Sequence, residues 1–308
     1  MYYRTFLKLP VLCGIAHLIV GGALAGQSFG AGDPACAARA EALKGTKATY
    51  SRPPLLENGR VDTQLLCRQL VDLHANTYNF LIWVRTNDWD DLQLFLPLAR
   101  KQGIRVWASL VPPSESPPRL PWYSEPFRLD YERWAVEFAK LGLREPNLVG
   151  WSIDDFSANA RVIYTPERLK KMLYAARAIN PRLAFVPCCY YKDITEKFVT
   201  TYQPLLDGML FPYRHESGGA NLKDASLVEA EVKKIKELTG PDFPIVMDVY
   251  ATAHSSLGKT TPEYVRQVMT SGRDSADGVM VYCHQDPKLF PEKYQIVKEL
   301  FGAWSPKG

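Results

Sequence analysis

Eight short apolar runs, each followed by a stretch of helical period, constrain this chain more than any other feature. They predict strands over Lys47–Ser51, Thr77–Val84, Arg105–Leu110, Leu148–Ile153, Ala184–Cys188, Gly208–Pro212, Pro244–Val249 and Gly278–Cys283. Each run is bounded by turn residues, as a strand buried on both faces is. Between them, Leu66, Leu70 and Leu73 share a helix face, as do Trp134, Phe138 and Leu141. Leu169, Met172, Leu173 and Ala176 form another such face, and Val228, Val232 and Ile235 a further one. Thr165-Pro166-Glu167 and Thr261-Pro262-Glu263 place a capping hydroxyl before a proline at the first helical position. Gly103 and Asn180-Pro181 mark helix ends. Eight βα units of one composition point to an α/β fold, a single (β/α)8 TIM barrel spanning 46–304. An open doubly wound sheet is the rival, but no Gly-rich phosphate loop follows the first or second run.

The N-terminus has a different character. Residues 1–25 hold Arg4 and Lys8, a mostly apolar stretch from Leu9 to Gly22, and the small-residue site Ala23-Leu24-Ala25. They are expected to be a signal peptide, with 26–45 as a tail that adds little to the barrel. The mature protein is then secreted or periplasmic, and no later apolar run is long enough to span a membrane. Without Arg4 and Lys8 the chain has 35 basic and 33 acidic residues. There is no basic stripe, so nucleic acid is not an expected partner. Five cysteines remain beyond Cys13, an odd number. Cys36 and Cys67 are the pair expected to bridge in an oxidising compartment, and one of Cys188-Cys189 is expected to pack inside as a small hydrophobe.

A closed parallel barrel places its chemistry at the C-terminal strand ends. There the sequence sets Asp154-Asp155 directly after an apolar run, where a carboxylate is costly unless it has a partner or a task. Strand alternation turns Asp154 inward if Gly150 and Ser152 face inward; Asp155 can still reach over the pocket. Asp248 interrupts the run Pro244–Tyr250 near its upper end. Two carboxylates facing each other across the mouth suit glycosidic bond cleavage, one donating a proton and the other acting as nucleophile, base or charge stabiliser. Each can instead serve the fold, with Asp248 paired to Arg85 or Arg214. Tyr50, Trp83, Tyr190, Tyr213, Tyr250 and Tyr282 fall at the same ends, and flat aromatic faces suit sugar rings. Arg85, Glu115, Arg214, Glu216 and His284 complete the candidate binding set. The Pro-rich segment 112–126, with Trp122 and Tyr123, is expected to wall one side; 213–226 and 250–261 are expected to be the more mobile walls.

With its Trp-x-Ile-Asp-Asp-Phe strand end at residues 151–156, the chain resembles the broad group of (β/α)8 glycoside hydrolases, in several families of which an acidic cluster ends strand four. The Asp-x-x-Asp-x-Asp-x-Glu pattern of chitinase-type barrels and the Asn-Glu pair of many retaining enzymes are absent. The resemblance implies a carbohydrate substrate, no cofactor and no metal; a monomer is expected. Two other functions compete. A metal-dependent phosphoester or amide hydrolase would draw on Asp154, Asp248, His215 and His284. A non-catalytic glycan-binding barrel would keep the aromatics and lose the acid–base geometry.

Overall fold

The computed structural model describes residues 34–160 and 163–304. The expected signal segment lies outside these residues. Eight parallel strands form one sheet: β1 Thr46–Tyr50, β2 Thr77–Ile82, β3 Arg105–Leu110, β4 Leu148–Ile153, β5 Ala184–Phe185, β6 Met209–Pro212, β7 Ile245–Tyr250 and β8 Gly278–Tyr282. Their order is β5-β4-β3-β2-β1-β8-β7-β6. A parallel bridge between Cys188 and Leu210 joins the two ends, with the Leu210 N–H donating to the Pro187 carbonyl at 3.0 Å. The barrel is therefore closed. β5 is shorter than its apolar run, but the N–H groups of Val186 and Cys188 still donate to the Trp151 and Ile153 carbonyls of β4, at 2.9 and 3.1 Å.

Helices α1 Pro34–Glu41, α2 Thr63–Asp72, α3 Asp88–Lys101, α4 Tyr131–Arg144, α5 Phe156–Asn159, α6 Pro166–Ile179, α7 Glu196–Tyr202, α8 Val228–Thr239, α9 Pro262–Ser275 and α10 Pro291–Ala303 accompany the strands. The Thr165 and Thr261 hydroxyls accept from the N–H groups of Arg168 and Tyr264, satisfying donors the first turn cannot use. Among the described residues, no helix is long and apolar enough to cross a membrane.

Two apolar layers result. Outward strand residues such as Phe80, Trp151 and Phe185 pack against the helices. Ala48, Trp107, Ala184, Leu210, Val246 and Met280 fill the barrel axis. Trp107 needs the space that Gly150 leaves: a Cβ there would lie 3.3 Å from the indole Cδ1. That contact fixes Gly150, and with it Ser152 and Asp154, as inward-facing.

Two expectations about the tail are corrected. Residues 34–45 belong to the packed structure, because Leu43 is fully buried in the axial layer and closes the barrel floor. Arg39 on α1 is buried as well, its Nε donating to Asp207 Oδ1 at 2.6 Å and its Nη1 to the Pro181 carbonyl at 2.6 Å. Cys36 and Cys67 are both free thiols. Arg39 docks α1 beneath β5 and β6, whereas Cys67 sits on α2, beside β1 and β2 on the other side of the barrel.

Candidate active site

The C-terminal ends of the strands enclose a cavity of about 380 Å3. Four carboxyl-bearing side chains line it: Glu115 from the loop after β3, Asp154 and Asp155 after β4, and Asp248 from β7. Tyr50, Trp83, Tyr190, Tyr250 and Tyr282 form much of the remaining wall with Arg214. A larger cavity of about 700 Å3 opens at the opposite face. Its polar groups are engaged locally: Lys47 donates to the Phe301 carbonyl at 2.8 Å, Arg105 to that of Ala42 at 2.8 Å, and Asp277 pairs with Lys236. Parallel barrels carry their chemistry at the C-terminal face, where the carboxylates converge.

Asp248 is fully buried. Its Oδ2 accepts from the Tyr50 hydroxyl at 2.7 Å, and its Oδ1 has no hydrogen-bond partner among the described residues. Burial pushes its carboxyl well above the usual range, and the neighbouring Asp154 adds to this; the Tyr50 hydrogen bond and the more distant Arg214 work against it. Asp154 keeps part of its surface open to the cavity, and its Oδ1 accepts from the Asp155 N–H at 3.0 Å. Burial, followed by the charge of Asp155, lifts it to about 7. Glu115 is lifted to about 8, first by burial and then by Asp154 and Asp155; its Oε2 is buried without a partner among the described residues.

Asp155 holds a different place. Its backbone is left-handed, with φ 47°, a conformation that costs a non-glycine residue free energy. One carboxylate oxygen accepts from the Tyr190 hydroxyl and the other from Ser114 Oγ at 3.2 Å. Arg214 lies over the Tyr190 ring, 3.9 Å from its centroid, and is held by Glu216, which also accepts from the Lys192 N–H at 2.8 Å. Glu216 thus supports Arg214 and does not itself line the cavity.

The tyrosines have a simple origin. Tyr50, Tyr282 and Tyr250 are in register across β1, β8 and β7. The Tyr50 and Tyr282 rings lie 4.9 Å apart and those of Tyr250 and Tyr282 5.4 Å apart. Trp83, just past β2 next to the Tyr50 strand, stands edge-on to Trp122 of the Pro-rich segment at 5.8 Å.

Besides Glu216, three of the proposed binding residues are not in the cavity. Arg85 turns away after β2, its Nε donating to Asp88 Oδ1 at 2.8 Å, where the chain enters α3. Tyr213 alternates outward from β6 and is fully buried, its hydroxyl donating to the Asp224 carbonyl at 2.9 Å. His284 is buried beside β1, 2.8 Å from Thr49 Oγ1 and 2.9 Å from Gln69 Oε1, and burial lowers its pKa to about 4. His215 is buried near Tyr213 and Asp224. The four ligands considered for a metal are therefore not brought together, and no group of three metal-ligating side chains occurs among the described residues. Trp151 and Phe156, which flank the acids in sequence, pack in the outer layer, and the cavity side of Asp154 meets Cys188 and tyrosines. Asp248 is not held ionised by an arginine, since burial outweighs Arg214.

Lys192, His254 and Ser255 line the cavity without a signal in the sequence, and Cys188, expected only as a packing residue, lines it too. Cys188 was accessible to the alternation rule, two residues beyond the inward Val186. His254 enters on a hairpin in which Ala253–His254 pairs antiparallel with Gly258–Lys259, and no local pattern aims it inward.

No family model matches the chain, and no curated protein matches it. Solved structures do. A glucosidase from Croceicoccus marinus aligns with TM-score 0.56 at 10% identity, over 84% of this chain and 68% of that one. A GH113 β-1,4-mannanase aligns with TM-score 0.57 at 12% identity, over 85% and 100%. Tryptophan synthase from M. tuberculosis aligns with TM-score 0.51 at 12% identity, over 87% and 96%. At such identities the likeness is one of fold, a (β/α)8 barrel that hosts more than one chemistry.

Proposed function

We propose that this chain is a glycoside hydrolase that cleaves a bond in an oligo- or polysaccharide, with Asp154 as proton donor and Asp248 as its ionised counterpart. One observation carries the reading: carboxyls from β4 and β7 meet in an aromatic-walled cavity, and each is pushed toward holding its proton. Coupled acids of this kind lose their protons in separate steps, so one is protonated while the other is charged. Asp154 opens to the cavity and is placed to protonate a leaving oxygen. Asp248, hydrogen-bonded by Tyr50, is placed to carry negative charge. Asp248 is lifted further than Asp154, so in this reading its proton passes to the Asp154 carboxylate, a shift that positive charge developing on a sugar ring beside Asp248 favours and that burial of Asp248 opposes. Asp155, tied to Tyr190 and Ser114, orients the wall and raises Asp154. The tyrosine row and Trp83 would receive the sugar faces. Glucosidase and mannanase barrels among the similar folds add weight to a sugar substrate. Export, read from residues 1–25, agrees with an extracellular polysaccharide substrate.

The test is turnover on a panel of aryl glycosides and oligosaccharides. Asp154→Asn and Asp248→Asn are each expected to lower turnover by about 10²–10⁴ while the protein still folds. The Asp154 variant alone is expected to recover on substrates whose leaving group needs no proton. Near-parental activity in both variants, on a substrate the parent cleaves, would refute the two-carboxylate assignment.

A further inference from the structure

A second cavity, of about 240 Å3, adjoins the acid-lined one and shares Ala253 with it. It lies between the loop after β1, the hairpin after β7 and the chain leading from β8 into α10. Arg52, Lys259 and Lys293 line it, and no carboxylate is among its lining residues. Lys293 is half-buried, and its Nζ donates to the Ala251 carbonyl and Thr260 Oγ1, each at 3.0 Å, both uncharged. An ammonium withdrawn from water beside neutral acceptors is costly, and an anion in the cavity would relieve that cost. Burial accordingly lowers its pKa.

Two further observations mark the cavity as built for a ligand. Ser51 and Arg52, both non-glycine, take positive φ values of 64° and 44°, strain that brings Arg52 to the rim. Gln285 is 2% exposed; its Nε2 is spent on the Cys283 carbonyl, and its Oε1 is buried with no partner among the described residues. Cations ask for an oxyanion, and the orphaned amide oxygen asks for a hydroxyl or amide N–H donor. An acidic sugar carries both a charged substituent and a hydroxyl on one ring.

We infer that this cavity binds the anionic substituent, carboxylate or sulfate, of a sugar unit next to the one held at Asp154 and Asp248. The natural ligand is then an acidic oligosaccharide, an assignment that rests on the glycosidase reading and narrows it. The charge pattern explains why two cavities lie side by side. The acid-lined one offers carboxyls and aromatic faces to a neutral ring, while its neighbour, lined by three cations and no carboxylate, takes the charge.

Titration calorimetry on the full chain carrying Asp154→Asn tests this without turnover. The probes are a uronate-bearing oligosaccharide, a sulfated one, a neutral one of the same length, and sodium sulfate alone. At least one acidic probe is expected to bind about tenfold tighter than the neutral one, the size of a charge-assisted contact. That preference is expected to weaken with salt and to vanish when Arg52→Gln and Lys259→Gln are added; both side chains are exposed, so folding is not at stake. Equal affinity for acidic and neutral probes, or a preference that survives those changes, would overturn the inference. So would sulfate binding as tightly as the acidic sugars, which would mean a free-anion site. Failure of the glycosidase reading looks different: the parent would turn over none of the oligosaccharides while charge-selective binding remained.

Discussion

The Tyr50 hydroxyl donates to Asp248 Oδ2 at 2.7 Å, joining two strands that are not neighbours, since β8 lies between β1 and β7. It is the one side-chain hydrogen bond to this carboxylate among the described residues, and the other oxygen has no partner among them. Tyr50→Phe removes the contact that most favours the charged form of Asp248 and so moves its pKa further up. The activity limb that requires ionised Asp248 is expected to shift to higher pH, and turnover near neutrality to fall about 10- to 100-fold, the worth of a charged hydrogen bond. A pH–rate profile that superimposes on the parent's would show that Asp248 does not need its charge.

The barrel floor gives a stability prediction. Leu43 lies outside β1 in sequence yet is fully buried among the axial side chains. Leu43→Ala is expected to cost about 2–5 kcal/mol, as cavities left by buried leucines do. Urea unfolding measures it, and a loss below about 0.5 kcal/mol would mean that the tail is dispensable after all.

How much of this was legible depends on how far strand periodicity reaches. Within β4 the rule of two holds, so Gly150, Ser152 and Asp154 could be turned inward together from sequence. The same rule turns Trp151 outward and carries one or two residues past β6, with Tyr213 outward beside inward Arg214. Further along the loops the rule has no force. Arg85 is drawn aside by Asp88 at the start of α3, and His284 is captured by Thr49 and Gln69. Lys192 and His254 arrive on loops whose course is set by tertiary contacts, such as the Glu216 carboxylate on the Lys192 N–H. Leu43 is a different case. Nothing local distinguishes an apolar residue in a short helical tail from one that plugs a barrel.

His284 predicts a pH effect unrelated to activity. Burial lowers its pKa from 6.5 to about 4, so it is neutral in the folded protein while the unfolded chain takes up a proton between those values. The stability it confers is present above about pH 6.5 and is lost as pH falls toward 4, by about 3 kcal/mol in all. Urea midpoints of the parent and His284→Gln, compared from pH 7 to 4, isolate this contribution. The parent is expected to lose its advantage over the variant on acidification; a constant gap between the two would rule the effect out.

Asp154 acts in the opposite sense. Its folded pKa of about 7 lies above the unfolded value of 3.8, so between these the folded protein holds a proton that the unfolded chain has released. Stability on its account is full below about pH 3.8 and is lost as pH rises through 7. Asp154→Asn keeps a neutral side chain of the same shape, and its amide oxygen can still accept from the Asp155 N–H. The variant is therefore expected to melt above the parent at pH 8 and level with it near pH 3, while having lost most of its turnover. Glu115→Gln is expected to behave likewise at high pH, since Glu115 is lifted to about 8. A carboxyl kept in place against its own cost to the fold is what a site that donates protons near neutrality requires. Melting curves across pH decide it: an Asp154→Asn protein less stable than the parent at pH 8 would show that this carboxylate pays its way in the fold and is not strained there for chemistry.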